Sequence, residues 1–424
     1  MKQYEKYKPS GLVWLDDVPE YWEMKRIKDL SSYTKGKTPD DLEFERKDGF
    51  MPYLSMEYLR GVIKYVLYAE VVNSIVVVDD NEIILLWDGS NAGEFVKSQK
   101  GILASTCAIL NKIAVYNQQW YYYCLKSSEP HLQGMTKGMG IPHVDGDFFR
   151  SFELYLPPLS EQTAIATYLD EKTANIDRRI ELLHQKIDHF KQLRRSLISQ
   201  VVTRGLNPNV KLKSTGIDWL GDIPEHWRLR RVKEMFGDIG SGSTPKSTMT
   251  ELYDDNGYYW LQSGDLNDNY VFDTKTKIND IAIERTPALR LYPKESLVIA
   301  MYGATIGKLG VLGMDAYTNQ ACCVMSEPHN INTRFLFYEL CFFKPTMLSF
   351  AIGGGQPNIS QEDVKFHLFP LPPLDEQNTI AIYLDEKTSQ IDTIVSKCEK
   401  QIEQLTELRR SLISQVVTGQ FKVC

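Results

Sequence analysis

Residues 156–203 read LPPLSEQTAIATYLDEKTANIDRRIELLHQKIDHFKQLRRSLISQVVT, and residues 371–418 read LPPLDEQNTIAIYLDEKTSQIDTIVSKCEKQIEQLTELRRSLISQVVT. The two stretches align without a gap at an offset of 371 − 156 = 215, and 28 of the 48 positions are identical. Repetition on this scale means one structural unit built twice. Within each copy, core-type positions recur at alternating steps of four and three. The first series is Leu169, Thr173, Ile176, Ile180, Leu183, Ile187, Phe190, Arg194, Leu197 and Val201. The second is Leu384, Thr388, Ile391, Val395, Cys398, Ile402, Leu405, Arg409, Leu412 and Val416. That is a coiled-coil seam sustained for about four heptads. A helix of roughly 40 residues is about 60 Å long. Pro157-Pro158 and Pro372-Pro373 precede the helices, Ser160 or Asp375 is placed to cap the first turn beside Glu161 or Glu376, and Gly205 and Gly419 end them.

Helices of this length outrun a neighbouring domain, so their natural partner is each other. Only a short linker joins the end of the first helix to Trp219, so the second helix must return antiparallel, with a globular head at each end of a two-helix spacer. Arg194 and Arg409 on the seam are costly if buried unpaired. They mark either a meeting point with other chains or the heads, or a frayed end.

Working outward, the preceding segments repeat more faintly. Gly11-x-x-Trp14-Leu15-x-x-Val18-Pro19-Glu20-x-Trp22 returns as Gly216-x-x-Trp219-Leu220-x-x-Ile223-Pro224-Glu225-x-Trp227, and Lys35-Gly36-Lys37-Thr38-Pro39 as Ser241-Gly242-Ser243-Thr244-Pro245. Both heads open alike and close on Leu-Pro-Pro-Leu, while their middles have diverged. Short β-branched and aromatic runs such as Ser74–Val78, Ile83–Trp87, Ser296–Ala300 and Leu309–Leu312 predict strands, and a short helix is predicted near Arg26–Leu30 and Arg231–Met235. The fold class read from this is α/β (α+β), two β-rich domains separated by a long antiparallel two-helix coiled coil. The divisions are 1–155 and 206–370 for the heads, 156–205 for the first spacer helix and 371–424 for the second with its tail.

The 424 residues are 43% hydrophobic and 24% charged, ordinary globular usage. No apolar run reaches the roughly 20 residues of a membrane helix, and the polar start Met1-Lys2-Gln3-Tyr4-Glu5-Lys6 is no secretion signal. Seven cysteines without a Cys-x-x-Cys fit reduced thiols, so the expectation is a cytoplasmic protein with no membrane partner. Net charge −7 argues mildly against nucleic acid, but an acidic total can hide a basic groove. Catalytic signatures are missing. Gly303-Ala304-Thr305-Ile306-Gly307-Lys308-Leu309 is one residue short of a phosphate loop and lacks its magnesium-binding hydroxyl. The runs at 138–140 and 353–355 open no dinucleotide helix, His184 and His189 are spaced wrongly for a metal pair, and no amino-methyltransferase motif occurs. No metal site or catalytic residue is expected.

The doubled Leu-Pro-Pro-Leu-x-Glu-Gln…Leu-Asp-Glu-Lys-Thr…Ile-Asp helices, ending in Arg-Arg-Ser-Leu-Ile-Ser-Gln-Val-Val-Thr, resemble the conserved regions of the specificity subunit of type I restriction-modification systems (HsdS). The Trp-Leu-x-x-Ile-Pro-Glu-x-Trp opening, Gly242-x-Thr244-Pro245 and Thr318-Asn319-Gln320-Ala321-Cys322 add to it. The first half departs at Ser105-Thr106-Cys107 and at Gly140-Ile141-Pro142-His143-Val144-Asp145, which weakens residue-by-residue transfer into that head. The resemblance implies a non-catalytic phage-defence subunit that reads a split site in double-stranded DNA, each head a target-recognition domain for one half-site. It further implies two methyltransferase subunits acting on adenine N6 and two motor-nuclease subunits. S-adenosylmethionine, ATP and magnesium would sit on those partners and no cofactor on this chain. A coiled-coil scaffold that never touches DNA, or a silent or orphan specificity subunit, are the alternatives.

Phosphate attraction needs cations, and base reading needs amides, guanidinium and hydroxyls in loops. In the first head the DNA-binding candidates are Lys35, Lys37, Thr38, Ser90, Asn91, Lys97, Lys137 and His143. In the second they are Ser241, Ser243, Thr244, Lys246, Gln262, Ser263, Thr305, Lys308, Asn319, Gln320, Gln356, Asn358 and Ser360. Any one of these is also an ordinary turn residue. Lys25-Arg26-x-Lys28 and Arg228-x-Arg230-Arg231-x-Lys233 are either phosphate contacts or a charged surface. The recurring Trp14, Trp22, Trp219 and Trp227 point to packing.

Overall fold

The computed structural model describes residues 3–138, 140–350 and 358–423. The seam forms two helices, Leu159–Arg204 and Leu374–Val417, of 46 and 44 residues. Every seam position is buried or half-buried, and the 3.5-residue pattern is realised along both helices. The flanks are mostly exposed in the middle of each helix, while Ile198, Val202, Ile413 and Val417 beside the seam are buried against a head. Each helix starts one residue before Ser160 or Asp375, with the carbonyls of Pro158 and Pro373 accepting the first helical bonds. Ser160 and Asp375 therefore lie inside the first turn and do not cap it. Gly205 and Gly419 hold φ of +74° and +77°, the left-handed stop expected of them.

The chain divides into two compact units, residues 1–183 with 399–424, and residues 184–398. Each unit therefore takes a head, the first half of one long helix and the second half of the other, so compactness does not follow the head-and-spacer divisions. Within the first unit, Trp22 donates its indole N–H to Glu161 at 3.3 Å and also crowds Gly419, while Asp177 meets Arg409 at 2.8 Å. Advancing along one helix means retreating along the other, so the segments are antiparallel. The second unit repeats this. Trp227 binds Glu376 at 3.1 Å beside Gly205, and Arg194 meets Asp392 at 3.6 Å. Neither seam arginine lies at a frayed end: each is half-buried and faces an aspartate of the other helix in its unit.

In the first head the main sheet has the order Ser31–Lys35, Cys107–Lys112, Ile83–Leu86, Phe95–Lys97, all antiparallel. The helix Gln118–Gln133 shares its core, through the fully buried Trp120 and Tyr121. A second sheet has the order Tyr68–Glu70, Phe50–Leu54, Gly101–Leu103, Val77–Val78. The second head has a five-stranded main sheet, Phe236–Ser241, Cys322–Pro328, Leu297–Ala300, Leu309–Leu312, Asn269–Val271, and a second sheet Lys277–Ile278, Tyr253–Leu261, Ala316–Thr318, Leu291–Tyr292. Entry and exit of each head are stitched into one antiparallel pair, Glu23–Arg26 with Glu153–Leu156 and Arg228–Arg231 with Leu368–Leu371. The predicted short helices occur, as an α-turn at Ile27–Leu30 and a 3-10 turn at Val232–Glu234. Trp22 and Trp227 are fully buried, and Trp14 and Trp219 stack on Phe152 and His367, all four serving packing.

Candidate nucleic-acid interface

Strand register decides which loops share a surface. In the first head Lys35 pairs with Ala108, and Cys107 with Leu86. The loop after Lys35, the loop before Cys107 and the loop after Leu86 therefore leave one end of the main sheet. In the second head Ser241 pairs with Cys323 and Ala300 with Cys322, which gathers the corresponding three loops. A fourth segment joins in each: Val144 donates its N–H to the Trp87 carbonyl (2.9 Å), and Ile359 to that of Met301 (2.8 Å). Glycine allows the tightest approach, since a Cβ on Gly36 or Gly242 would run into the backbone carbonyl of Ala104 or Thr318.

On the first head this places Lys35, Lys37, Thr38, Ser90, Asn91, Lys137 and His143 in one region. The Lys35 ammonium lies 3.0 Å from Asp88 and over the Trp87 ring. Asp88 forms a β-bridge with His143, and His143 with Lys137. Lys137 pairs with Asp145 at 2.6 Å, and that bond raises its proton affinity and lowers that of the carboxyl. The Thr38 hydroxyl meets Ser105 at 2.8 Å and Tyr53 at 3.1 Å. Ser90 and Asn91 occupy the hairpin turn beyond Asp88, 3.2 Å apart. All seven are exposed except the half-buried Asn91. Lys97 stands apart. Its ammonium donates to Gln119 and lies over the Tyr122 ring, and burial pulls its proton affinity down.

The second head gathers a set dominated by amides and hydroxyls, with two lysines, Lys246 and Lys308. Ser243 donates its N–H to the Thr318 carbonyl (2.9 Å), and the Thr244 hydroxyl donates to the Gln320 side chain. Asn319 donates its N–H to the Leu261 carbonyl (3.0 Å), which sets it beside Gln262, whose amide reaches Thr276 at 3.2 Å. Asn358 forms a β-bridge with Tyr302 in the hairpin turn that carries Thr305, and Lys308 donates its N–H to the Thr305 carbonyl (2.9 Å). Lys246 is exposed on the 242–246 loop. Three candidates have structural duties. Ser241 is within a strand, Ser263 opens the 3-10 turn Ser263–Asp265, and Ser360 caps the helix Gln361–Phe366, its hydroxyl accepting the Asp363 N–H at 3.1 Å. Gln356 lies outside the described residues. Most of the basic runs Lys25–Lys28 and Arg228–Lys233 is engaged as well: Lys25 with Glu23, Arg26 with Glu153, Arg230 with Glu234, and Arg231 and Lys233 over Phe366.

Sequence reasoning overlooked Tyr53 and Asp88 and treated Ser105 only as a departure from the second head, though all three complete the first cluster, and it overlooked the residues that seat each head on its helix. Asn117 and Asn332, and Tyr123 and Tyr338, obey the same 215-residue offset as the helices, so extending the alignment upstream would have found them. Among the described residues no group of His, Cys, Asp and Glu is arranged to hold a metal, and no helix is long and apolar enough to cross a membrane.

What the loops can offer is hydrogen bonding and charge: mainly lysine and hydroxyl on one head, mainly amide and hydroxyl with two lysines on the other. Comparison with known proteins agrees with that reading. Residues 19–192 and 224–404 match the family described as the type I restriction modification DNA specificity domain. A specificity subunit of the type I restriction enzyme MjaVIII from Methanocaldococcus jannaschii is 32% identical over 96% of this chain and 94% of its own. The EcoBI specificity subunit of Escherichia coli is 22% identical over 97% and 88%. A solved structure from work on complex assembly and conformational transition of the type I R-M system superposes with a TM-score of 0.71 at 17% identity, covering 95% of this chain and 99% of its own. With both halves matched in one chain, the protein belongs to the family of type I restriction-modification specificity subunits.

Proposed function

We propose that this chain reads a bipartite site in double-stranded DNA, one half-site per head, and supplies the address for a type I restriction-modification complex while catalysing nothing itself. The observation that carries this is the pair of four-loop clusters: the same frame is built twice, yet the residues it displays differ. Base edges specify sequence, so a reading surface must change when the address changes, while the frame need not. Amides such as Asn319, Gln320 and Asn358 suit adenine N6 and N7, whereas lysines such as Lys35 and Lys37 suit guanine O6 and N7. The heads therefore read different half-sites. A scaffold that never touched DNA would have no reason to diversify one part of each repeat.

The complex comprises two methyltransferase subunits, which transfer methyl groups from S-adenosylmethionine to adenine N6, and two motor-nuclease subunits using ATP and magnesium, in the cytoplasm. This chain binds none of those small molecules. Partner subunits contribute phosphate-binding charge that the net −7 of this chain does not. Methylome sequencing of a host expressing the chain with its methyltransferase partner tests the proposal. The expected result is methylated adenine in a two-part motif with a fixed unread spacer. A contiguous motif, or no methylation, would refute it.

A further inference from the structure

Each head sits on the long helices of its own unit through the same hydrogen-bond ladder. Asn117 donates its N–H to Gln162 Oε1 (2.8 Å), and Gln162 donates to the Pro157 carbonyl (2.8 Å). Asn332, Gln377 and Pro372 repeat this at 2.8 and 2.9 Å. Further along, the Tyr123 hydroxyl donates to Asp170 (2.8 Å) and meets Thr173 (3.0 Å), and the Tyr338 hydroxyl donates to Asp385 (2.6 Å) and meets Thr388 (3.0 Å). Both threonines and both tyrosines are buried.

A cation completes each ladder, and here the heads differ. In the second, Arg334 donates from Nε to Asp385 (2.6 Å) and from Nη2 to the side-chain carbonyl of Asn269 (3.2 Å), with Tyr270 against its guanidinium. The position equivalent to Arg334 in the first head is Gln119 (334 − 215 = 119), which has no charge. The cation comes instead from Lys97, whose ammonium donates to Gln119 while the Gln119 amide donates to Asp170. Lys97 lies on Phe95–Lys97 and Asn269 on Asn269–Val271, and each is the edge strand of its main sheet. In both heads, by different residues, the free edge of the sheet that carries the reading loops is linked, through a residue in the first turn of its backing helix (Gln119 or Arg334), to an aspartate of the long helix. That joint locks sheet edge, backing helix and long helix together at one point, and without it the sheet edge is freer to shift against the long helix.

Resting on the DNA-reading function above, we propose that Lys97 in the first head, and Arg334 with Asn269 in the second, are positioning residues that set the angle at which the reading loops meet their half-site. Lys97 is thereby removed from the phosphate-contact set.

The test uses the chain assembled with its methyltransferase partner, once the methylome has supplied motif and spacer. Lys97→Met keeps the aliphatic stem over Tyr122 and removes the charge, and Lys97→Arg is the rescue. Two quantities are measured: methylation on duplexes with the native spacer and with one base pair more or less, and duplex binding against salt. Lys97→Met should lower methylation at the native spacer by about 10- to 100-fold and narrow discrimination against the altered spacers by a similar factor, because a placement error of an ångström can cost up to about a hundredfold. Lys97→Arg should restore both, and the salt slope should be unchanged. A slope reduced by about one unit would make Lys97 a phosphate contact and overturn the inference. So would an equal loss at every spacing, or no change. Arg334→Met, which should produce the same pattern at the other half-site, serves if Lys97→Met fails to fold. A wild-type complex that binds no duplex overturns the function and this inference together; wild-type binding with unmoved variants overturns the inference alone.

Discussion

Asn358 has an exposed side chain on a backbone pinned to Tyr302, so the amide can be removed without opening the core. Asn358→Ala should reduce methylation at one half-site by roughly 10- to 100-fold, the 1–3 kcal/mol of a lost base contact, while the other half-site and subunit assembly persist. Unaltered methylation at both would take Asn358 off the reading surface. Buried thiols make a different prediction. Burial pushes Cys322 and Cys323 from an ordinary value of 9.0 up to about 12. The unfolded chain therefore releases these protons above about pH 9 while the native chain keeps them, so the native state binds more protons and stability falls as pH rises through that window. Replacing either thiol with alanine should flatten the decline. In the native protein at pH 8, maleimide should label neither faster than global unfolding, and rapid stoichiometric labelling would contradict the burial.

At the scale of the element, the long helices join a predictable apolar seam to charge pairs that no single helix reveals. Ile176 and Ile391 occupy matching seam positions, 7% and 6% exposed. Truncating either to alanine should cost about 2–4 kcal/mol, read as a shift in the denaturation midpoint, because a methylene-lined cavity is left behind. Arg409 and Asp177 are partly exposed, so their pair is screened. Arg409→Asp sets two carboxylates against each other on a half-buried seam position, so it should cost more than the roughly 1 kcal/mol of a lost exposed pair, and the exchanged double variant Arg409→Asp with Asp177→Arg should recover most of that loss. An exchange that recovers nothing would place the arginine's contribution in its aliphatic packing. The helix end is stricter. Gly419 combines φ of +77° with Pro19 and Trp22 packed against its Cα, so Gly419→Ala should destabilise the first unit, where an exposed helix glycine would tolerate the change.

For the molecule as a whole, the shared helices carry a consequence for spacing. Deleting one heptad from both helices preserves the seam and shortens each by about 10 Å, the rise of seven residues. That equals about three base pairs at 3.4 Å per step, so on the proposed function, with the helices setting the distance between half-sites, the unread spacer should contract by about three base pairs while the half-site sequences stay the same. Methylome sequencing of the deletion variant reads this directly, and an unchanged spacer would refute the proposal that the helices set the spacing.

The repeat, the length of the helices, their seam, their glycine stops and the presence of two diverged β-rich heads were legible in the chain itself, because periodicity and internal identity are properties of order along a polymer. Much of the reading cluster was legible as residue types, since hydroxyls, amides and lysines in Gly-rich loops announce themselves. Which of them share a surface was not. Strand register brings Lys35, Asp88 and His143 together from three distant segments, and the same tertiary packing turns Lys97 inward to Gln119 and puts Ser360 to work as a cap. Arg194 and Arg409 are the clearest case. A charge on a seam is read from one helix as a defect, and becomes a pair only when folding brings Asp392 and Asp177, some two hundred residues away in the chain, within reach.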